Sequence, residues 1–409
     1  MNYRRVSLGL LVLTLCSLAA WIGVVWASHQ YVSHGRGKDR FLTYWAGTRL
    51  LIAEGLSPYS TAASERMQAL SVGSGNAESQ VIYPLYGILL FWPFAAIASY
   101  AWARAIWMAV LVAVLFLLAH MCIRLSRWRP PTWLLFLYTL LALAGYISLR
   151  SVVSGDAVIL VTLFLLLALE AIRRWRDDFA GALLVLATIQ PLNSLVCIVF
   201  VLFWAAMQRR WMLWICFLGF LAFLSAVGLF FKPGWPLEWL RSIVHYPGFL
   251  APYRLEAIFA RWSPGVGKQI GSTITFIAWL MLLVEGWLFL RREGRQWVWT
   301  ISLVLVLAQW LGIPAGPENF VLLLLPLTVF FAIWEERYGA RGRWVILLDL
   351  LAFGVGVWAW SDRVSETRLR SLLFFLIPLV LLIELYWVRW WAFHPRRLLI
   401  DELRAQEET

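Results

Sequence analysis

Long unbroken apolar runs separated by short basic clusters dominate the chain, and none alternates apolar and polar positions as a half-buried strand would. Runs at 6–27, 101–121, 132–149, 156–172, 211–231, 270–290, 298–313, 320–334, 344–360 and 372–390 therefore predict about ten membrane crossings. A hydrocarbon core about 30 Å thick needs about 20 apolar residues in a helix, which pairs its backbone groups internally. The missing alternation excludes a β-barrel.

The run 179–207 departs from this pattern. Arg173, Arg174 and Arg176 precede it, Arg209 and Arg210 follow it, and Gln190-Pro191 stands in its middle. Proline lacks the N–H that a helix interior needs, and such breaks persist at membrane depth only inside protein or beside a cavity. The pattern predicts two half-helices forming a hairpin whose two ends open on the basic side. Gln190 and Asn193 are expected to satisfy the backbone that Pro191 frees.

With Arg4 and Arg5 cytoplasmic, the clusters 124–129 and 173–176 also fall inside, as the positive-inside rule requires. Both termini are then cytoplasmic, and the first run reads as a retained signal anchor, too long for an ordinary signal peptide. The whole chain, 1–409, is expected to form one integral membrane domain. Outer loop 1 (28–98) and outer loop 2 (232–269) lie on the same extracytoplasmic face and can build one site.

Within loop 1, Phe41, Tyr44, Trp45, Thr48, Leu51, Ile52 and Gly55 recur at helical spacing, which predicts a short helix lying in the interface. The piece 82–96, with Pro84 and Pro93, is short for a crossing and reads as re-entrant or interfacial. The fold expected is thus an all-α polytopic membrane protein with a broken hairpin and interfacial helices in its first outer loop.

Composition agrees: of 409 residues, 62% are hydrophobic and 14% charged, and mean hydropathy is +0.74. A net charge of +12 would suggest nucleic acid in a soluble protein, but these arginines sit between apolar runs and set topology, so no nucleic-acid partner is expected. Cys16, Cys122, Cys197 and Cys216 all lie within apolar runs, without the spacing of a zinc site or paired loop positions. Glu170, Glu285, Asp349 and Glu384 sit near the basic ends of their runs, where Arg173, Arg291, Arg343 and Arg389 are near enough to pair or share an interface with them.

Few residues remain for chemistry. Asp39 heads the longest polar loop, between Lys38 and Arg40. Cations on the outer side are Lys232, Arg241, Arg254, Arg261 and Lys268, with Arg104 and Arg150 at span ends. His245 is a lone loop histidine; Asp156 and Glu318 stand at helix starts, where capping is the first expectation.

Asp39-Arg40-Phe41-Leu42-Thr43-Tyr44-Trp45, followed by Glu54-Gly55-Leu56-Ser57-Pro58-Tyr59, resembles a recurrent block of glycosyltransferase family 87, at Asp39, Tyr44, Gly55, Pro58 and Tyr59. Tyr83-Pro84-Leu85 is similar to that family's Tyr-Pro-Pro block, and 253–261 resembles its outer segment with a later arginine. Two positions depart from the family pattern: Asp156 follows Ser154-Gly155 where Gly-Gln is usual, and Gln190 precedes Pro191 where lysine is usual.

The resemblance implies a GT-C fold in a bacterial plasma membrane and transfer of a sugar, such as mannose, from a polyprenyl-phosphate donor to a lipid or glycan hydroxyl. It implies inversion at the anomeric carbon. Asp39 is the expected base, with Tyr44, Tyr83, Arg104, His245, Arg254 and Arg261 as donor-binding candidates. No Gly-rich phosphate loop is present for a nucleotide donor. No cofactor is expected, and any divalent ion would arrive with the substrate. Membrane lipids are the remaining partner. Two other readings fit the same residues: a carrier or flippase of lipid-linked sugars, and a relative without activity.

Overall fold

The computed structural model describes residues 3–34, 40–70, 81–245, 254–289, 294–311, 317–363 and 367–394. Every regular element among them is helical. Among the described residues, six helical runs are long and apolar enough to cross a membrane: Tyr100–Ser126, Thr132–Ser154, Trp211–Phe231, Gly267–Leu288, Glu318–Ser361 and Ser371–Phe393.

The first helix, α1 (Tyr3–Ser33), leads to α2 (Phe41–Glu54), α3 (Thr61–Leu70) and α4 (Ile88–Ala95), then to the long α5 (Tyr100–Ser126), against which α1 packs. The loop-1 helix forms where its periodicity places it, yet α2 does not lie with one face on lipid. Its residues are buried nearly all round, because α4 and α5 claim its aromatic positions: Tyr44 stacks on Phe91 at 4.4 Å, Phe41 on Trp107 at 5.5 Å, and Trp45 meets Tyr100 edge-on at 5.2 Å. Only its last turn is exposed. The apolar piece that carries α4, Leu85–Ala95, is too short to cross.

The third apolar run is bent at Gly145 into α6 (Thr132–Ala144) and α7 (Tyr146–Ser154). After a tight turn come α8 (Val158–Arg173), α9 (Asp177–Ala187), α10 (Pro191–Met207) and α11 (Trp211–Phe231). The break in 179–207 is real and its two ends meet: Arg210, following α10, pairs with Asp177 at the head of α9 and donates to the Ile172 carbonyl at 3.0 Å. At the tip, Pro191 has no N–H for the Ala187 carbonyl. The Ser194 hydroxyl takes its place, donating to Ala187 O at 2.8 Å and to Gln190 O at 3.1 Å. Gln190 itself points elsewhere, which corrects the role expected for it; the Asn193 side chain lies outside what is described.

Basic residues gather at the open end of the hairpin. Glu170 pairs with Arg124 (3.0 Å), Arg173 (2.7 Å) and Arg174 (2.8 Å), and Arg173 also donates to the carbonyls that end α5. Matching a carboxylate near the end of an apolar helix in this way offsets its desolvation.

Loop 2 carries α12 (Trp235–Val244) and α13 (Leu255–Trp262), followed by α14 (Gly267–Phe289) and α15 (Gly294–Leu311). A 3-10 segment, Pro317–Leu323, enters α16 (Leu324–Tyr338); α17 (Arg343–Leu351), α18 (Val357–Arg363) and α19 (Thr367–Phe393) complete the bundle. Glu285 on α14 pairs with Arg389 on α19 at 3.1 Å, and Arg343 pairs with Glu335 at 2.7 Å rather than with Asp349. The expected partner Arg291 lies outside the described residues.

The segments called loop 1 and loop 2 dock on each other. The Trp239 indole donates to Ile82 O at 3.0 Å, the Ser242 hydroxyl to Val81 O at 2.7 Å, and the Ser57 hydroxyl to Glu238.

Candidate active site

The turn between α7 and α8 is the anchor. Gly155 adopts φ +70°, and a Cβ there would lie 2.8 Å from Phe41 Cβ and 2.9 Å from Arg104 Cζ, so only glycine fits. Donors surround the turn's carbonyls: Arg104 Nη2 reaches Val152 O (3.2 Å) and Val153 O (2.6 Å), Trp107 Nε1 reaches Gly155 O (3.0 Å), and the Arg40 backbone N–H reaches Ser154 O (2.8 Å).

Asp156 follows that glycine and is fully buried. Its Oδ1 accepts the N–H of Val158, the first residue of α8, at 3.1 Å, from one residue before the N-cap position that Ala157 occupies, so it serves the helix start much as expected. Capping is one contact among several. Oδ2 accepts from Arg40 Nη1, and Oδ1 also accepts from Gln190 Nε2. Gln190 Nε2 in turn donates to the Tyr44 hydroxyl at 2.7 Å. Three distant segments thus converge on one carboxylate: the entry to α2, the start of α8 and the hairpin tip. The two positions that depart from the family pattern, 156 and 190, are direct partners. Their pairing was the signal available in the sequence, since one gains an acid where the other loses a base.

Tyr44 is buried, and desolvation pushes its phenol well above the ordinary tyrosine range; the nearby Asp156 charge acts in the same direction. It is a neutral hydroxyl that accepts from Gln190 and keeps a proton to donate. Tyr83 is likewise buried, at 5.3 Å from the Tyr44 ring, with its phenol raised by burial, and its carbonyl accepts the Tyr59 hydroxyl at 2.8 Å. Tyr86 holds the hairpin tip by a 2.6 Å hydroxyl contact with Thr188.

The remaining candidates are spread out. Asp39 lies outside the described residues; Arg40, the next residue, is the first described member of its block. Arg104 is 1% exposed, with its guanidinium 5.7 Å from the Phe41 ring and its Nη2 on backbone carbonyls. Arg261 sits on α13 and Arg254 directly before it; α13 packs on α14 and α19, a different set of helices from those carrying Tyr44 and Asp156. Arg254 Nε is 3.8 Å from Glu256. His245 is exposed at the end of α12, its Nδ1 2.8 Å from Arg241 O. Arg150 binds Glu318 at 3.3 Å and the Tyr146 hydroxyl at 2.9 Å, so Glu318 serves an ion pair between α7 and the 3-10 segment where capping was expected.

Below the hairpin tip an apolar cavity of about 460 Å³ opens between α10 and α14. Its walls include Leu195, Val199 and Phe203 on one side and Trp279, Leu283 and Trp287 on the other. Phe200 closes against Gly286, where a Cβ would meet its ring at 3.1 Å. Leu195 follows Gln190 by five residues, about 7 Å along a helix. The cavity lining therefore starts on the helix that leaves the hairpin tip, on side chains more exposed than Gln190 and Asp156.

No match was found among curated proteins or solved structures. A family model, glycosyltransferase family 87, matches residues 82–317, beginning after the Asp39–Tyr59 block and including Tyr83, Asp156, Gln190, Arg254 and Arg261. That match covers more than half of a chain whose described elements are all helical and include several membrane-length apolar helices, and the protein belongs to glycosyltransferase family 87.

Proposed function

We propose that this membrane glycosyltransferase transfers a hexose such as mannose from a polyprenyl-phosphate donor to a hydroxyl of a lipid or glycan acceptor, on the extracytoplasmic face of a bacterial plasma membrane. The observation that carries the reading is a polar group and an apolar cavity that share the hairpin: Arg40, next to Asp39, pairs with Asp156, Gln190 ties Asp156 to the hairpin tip, and α10, which starts at that tip, lines the α10–α14 cavity. A sugar on an isoprenoid needs both environments at once, a polar head site and an apolar surface for the chain.

In the reaction, the acceptor oxygen attacks the anomeric carbon, its proton passes to the Asp39 carboxylate, and the bond from that carbon to the phosphate oxygen breaks. The electron pair leaves with polyprenyl phosphate. Attack opposite the leaving group inverts the anomeric centre. A carboxylate within hydrogen-bond reach of the hydroxyl is sufficient as base, and cations stabilise the charge that develops on phosphate. Arg254 and Arg261, on loop 2, are the phosphate partners in this reading; Arg104 is assigned to the turn whose carbonyls it holds.

The test is transfer of radiolabelled sugar from polyprenyl-phosphate mannose, glucose and related donors into lipid or glycan acceptors, using membranes with wild type or Asp39→Asn. Product that depends on donor and is lost in Asp39→Asn supports the reading. Equal product in both removes Asp39 as the base, and donor binding without product from any donor would favour a carrier.

A further inference from the structure

We infer that Asp156 is a positioning residue for the transfer reaction, acting through Arg40 on the segment that carries Asp39; this rests on the proposed function above. The argument begins with what a cap requires. Accepting the Val158 N–H needs only a side-chain oxygen, and asparagine caps a helix as well as aspartate does. A fully buried carboxylate is a costlier choice, stable only when its charge is matched. Here the match is no neighbour on α8 but Arg40, 116 residues earlier in the chain.

Arg40 is held twice by the same turn. Its guanidinium meets Asp156, and its backbone N–H donates to Ser154 O at 2.8 Å. Only one peptide, about 3.8 Å between Cα atoms, separates residue 40 from residue 39. Position and direction of the chain are therefore set at Arg40, by a clamp whose far jaw is rigid. Gly155 admits no side chain, Arg104 and Trp107 fix its carbonyls, and Gln190 ties Asp156 to the hairpin tip and Tyr44. A base misplaced by about 1 Å loses about a hundredfold in rate, so such a clamp bears on chemistry as well as on folding.

Asp156→Asn isolates the relevant contact. The amide oxygen can still accept from Val158 N–H and from Gln190, and what is lost is the oxygen facing Arg40, both its charge and its acceptor. Expected in the purified variant are a fall in kcat of about tenfold or more, KM for donor and acceptor within about twofold of wild type, and cleavage by trypsin after Lys38 or Arg40 at a severalfold higher rate. Asp156→Glu, which keeps the charge, should recover much of the lost kcat. If Asp156→Asn does not fold, Arg40→Lys tests the same link, since it keeps the cation but not the fork, and the same loss confined to kcat is expected.

Wild-type kcat in folded Asp156→Asn would overturn the inference. So would a fall in kcat that merely follows the folded fraction, or unchanged trypsin cleavage. Should wild type transfer no sugar from any donor, the proposed reaction fails by itself, and the cleavage comparison still decides whether Asp156 holds the segment.

Discussion

Arg210 Nε lies 2.9 Å from Asp177 Oδ2, and this pair closes the hairpin formed by α9 and α10 at its open end. The guanidinium also rests 4.5 Å from the Trp175 ring and 5.3 Å from that of Trp204. Arginine suits this place because its planar fork can pair and stack at once. Asp177→Asn leaves a largely buried cation without its anion and is expected to cost about 3 kcal/mol. A lowered thermal midpoint checks this; an unchanged midpoint would mean that headgroups or water replace the carboxylate fully.

Ser194→Ala should destabilise the hairpin tip from within. The variant leaves the Ala187 carbonyl without the hydroxyl that replaces the missing Pro191 N–H, at a cost of about 1–3 kcal/mol. Denaturation in detergent measures it, and Ser194→Thr, which keeps the hydroxyl, serves as the control.

Gly155→Ala and Gly55→Ala separate backbone strain from crowding. Both glycines are left-handed, at φ +70° and +65°, but a Cβ at 155 meets Phe41 and Arg104 whereas one at 55 meets open space. The expected costs are about 2–4 kcal/mol at 155 and about 1–2 kcal/mol at 55. Equal midpoints for the two variants would contradict the packing described around the turn.

Burial raises the phenols of Tyr44, Tyr59, Tyr83 and Tyr86, the last to about 12. A raised folded-state pKa holds the proton more tightly than the unfolded chain does. The stability linked to it is therefore complete below the unfolded value of about 10 and declines as pH rises beyond it. Tyrosinate absorbance on alkaline titration should show these phenols ionising only together with unfolding. Early ionisation of all thirteen tyrosines in folded protein would refute this.

Val199→Trp fills part of the cavity between α10 and α14, whose wall Val199 forms. Each buried methylene is worth about 0.8 kcal/mol, so displacing two from the cavity should raise KM about tenfold for long polyprenyl donors. A donor with a two-isoprene tail should be unaffected. An equal effect on both would place the chain elsewhere.

The hairpin was legible in the sequence because its evidence is local: arginines at both ends, and a proline in an apolar run. The short segment carrying α4 was legible for the same reason. Burial of α2 was not, since its stripe of Phe41, Tyr44 and Trp45 suits lipid and protein equally, and the choice is made by Phe91, Tyr100 and Trp107 far along the chain. Asp156 was half legible: its position announces a cap, while its ion pair with Arg40 depends on tertiary contact. Arg104 resembled a phosphate ligand by location alone, because the carbonyls it serves belong to a turn that no spacing rule foretells. Ser194 was missed because a serine one turn past a proline is unremarkable until the orphaned carbonyl is identified.

The convergence on Asp156 also imposes an order on biogenesis. During synthesis Arg40 precedes Asp156 by 116 residues, whereas Gln190 follows it by 34. The carboxylate therefore emerges after its cation but before its amide partner, and α8 can enter the membrane with its charge already compensated by the first loop. The hairpin then arrives last and seals the assembled turn, so that the chain completes this end of the fold in the sequence in which it is translated.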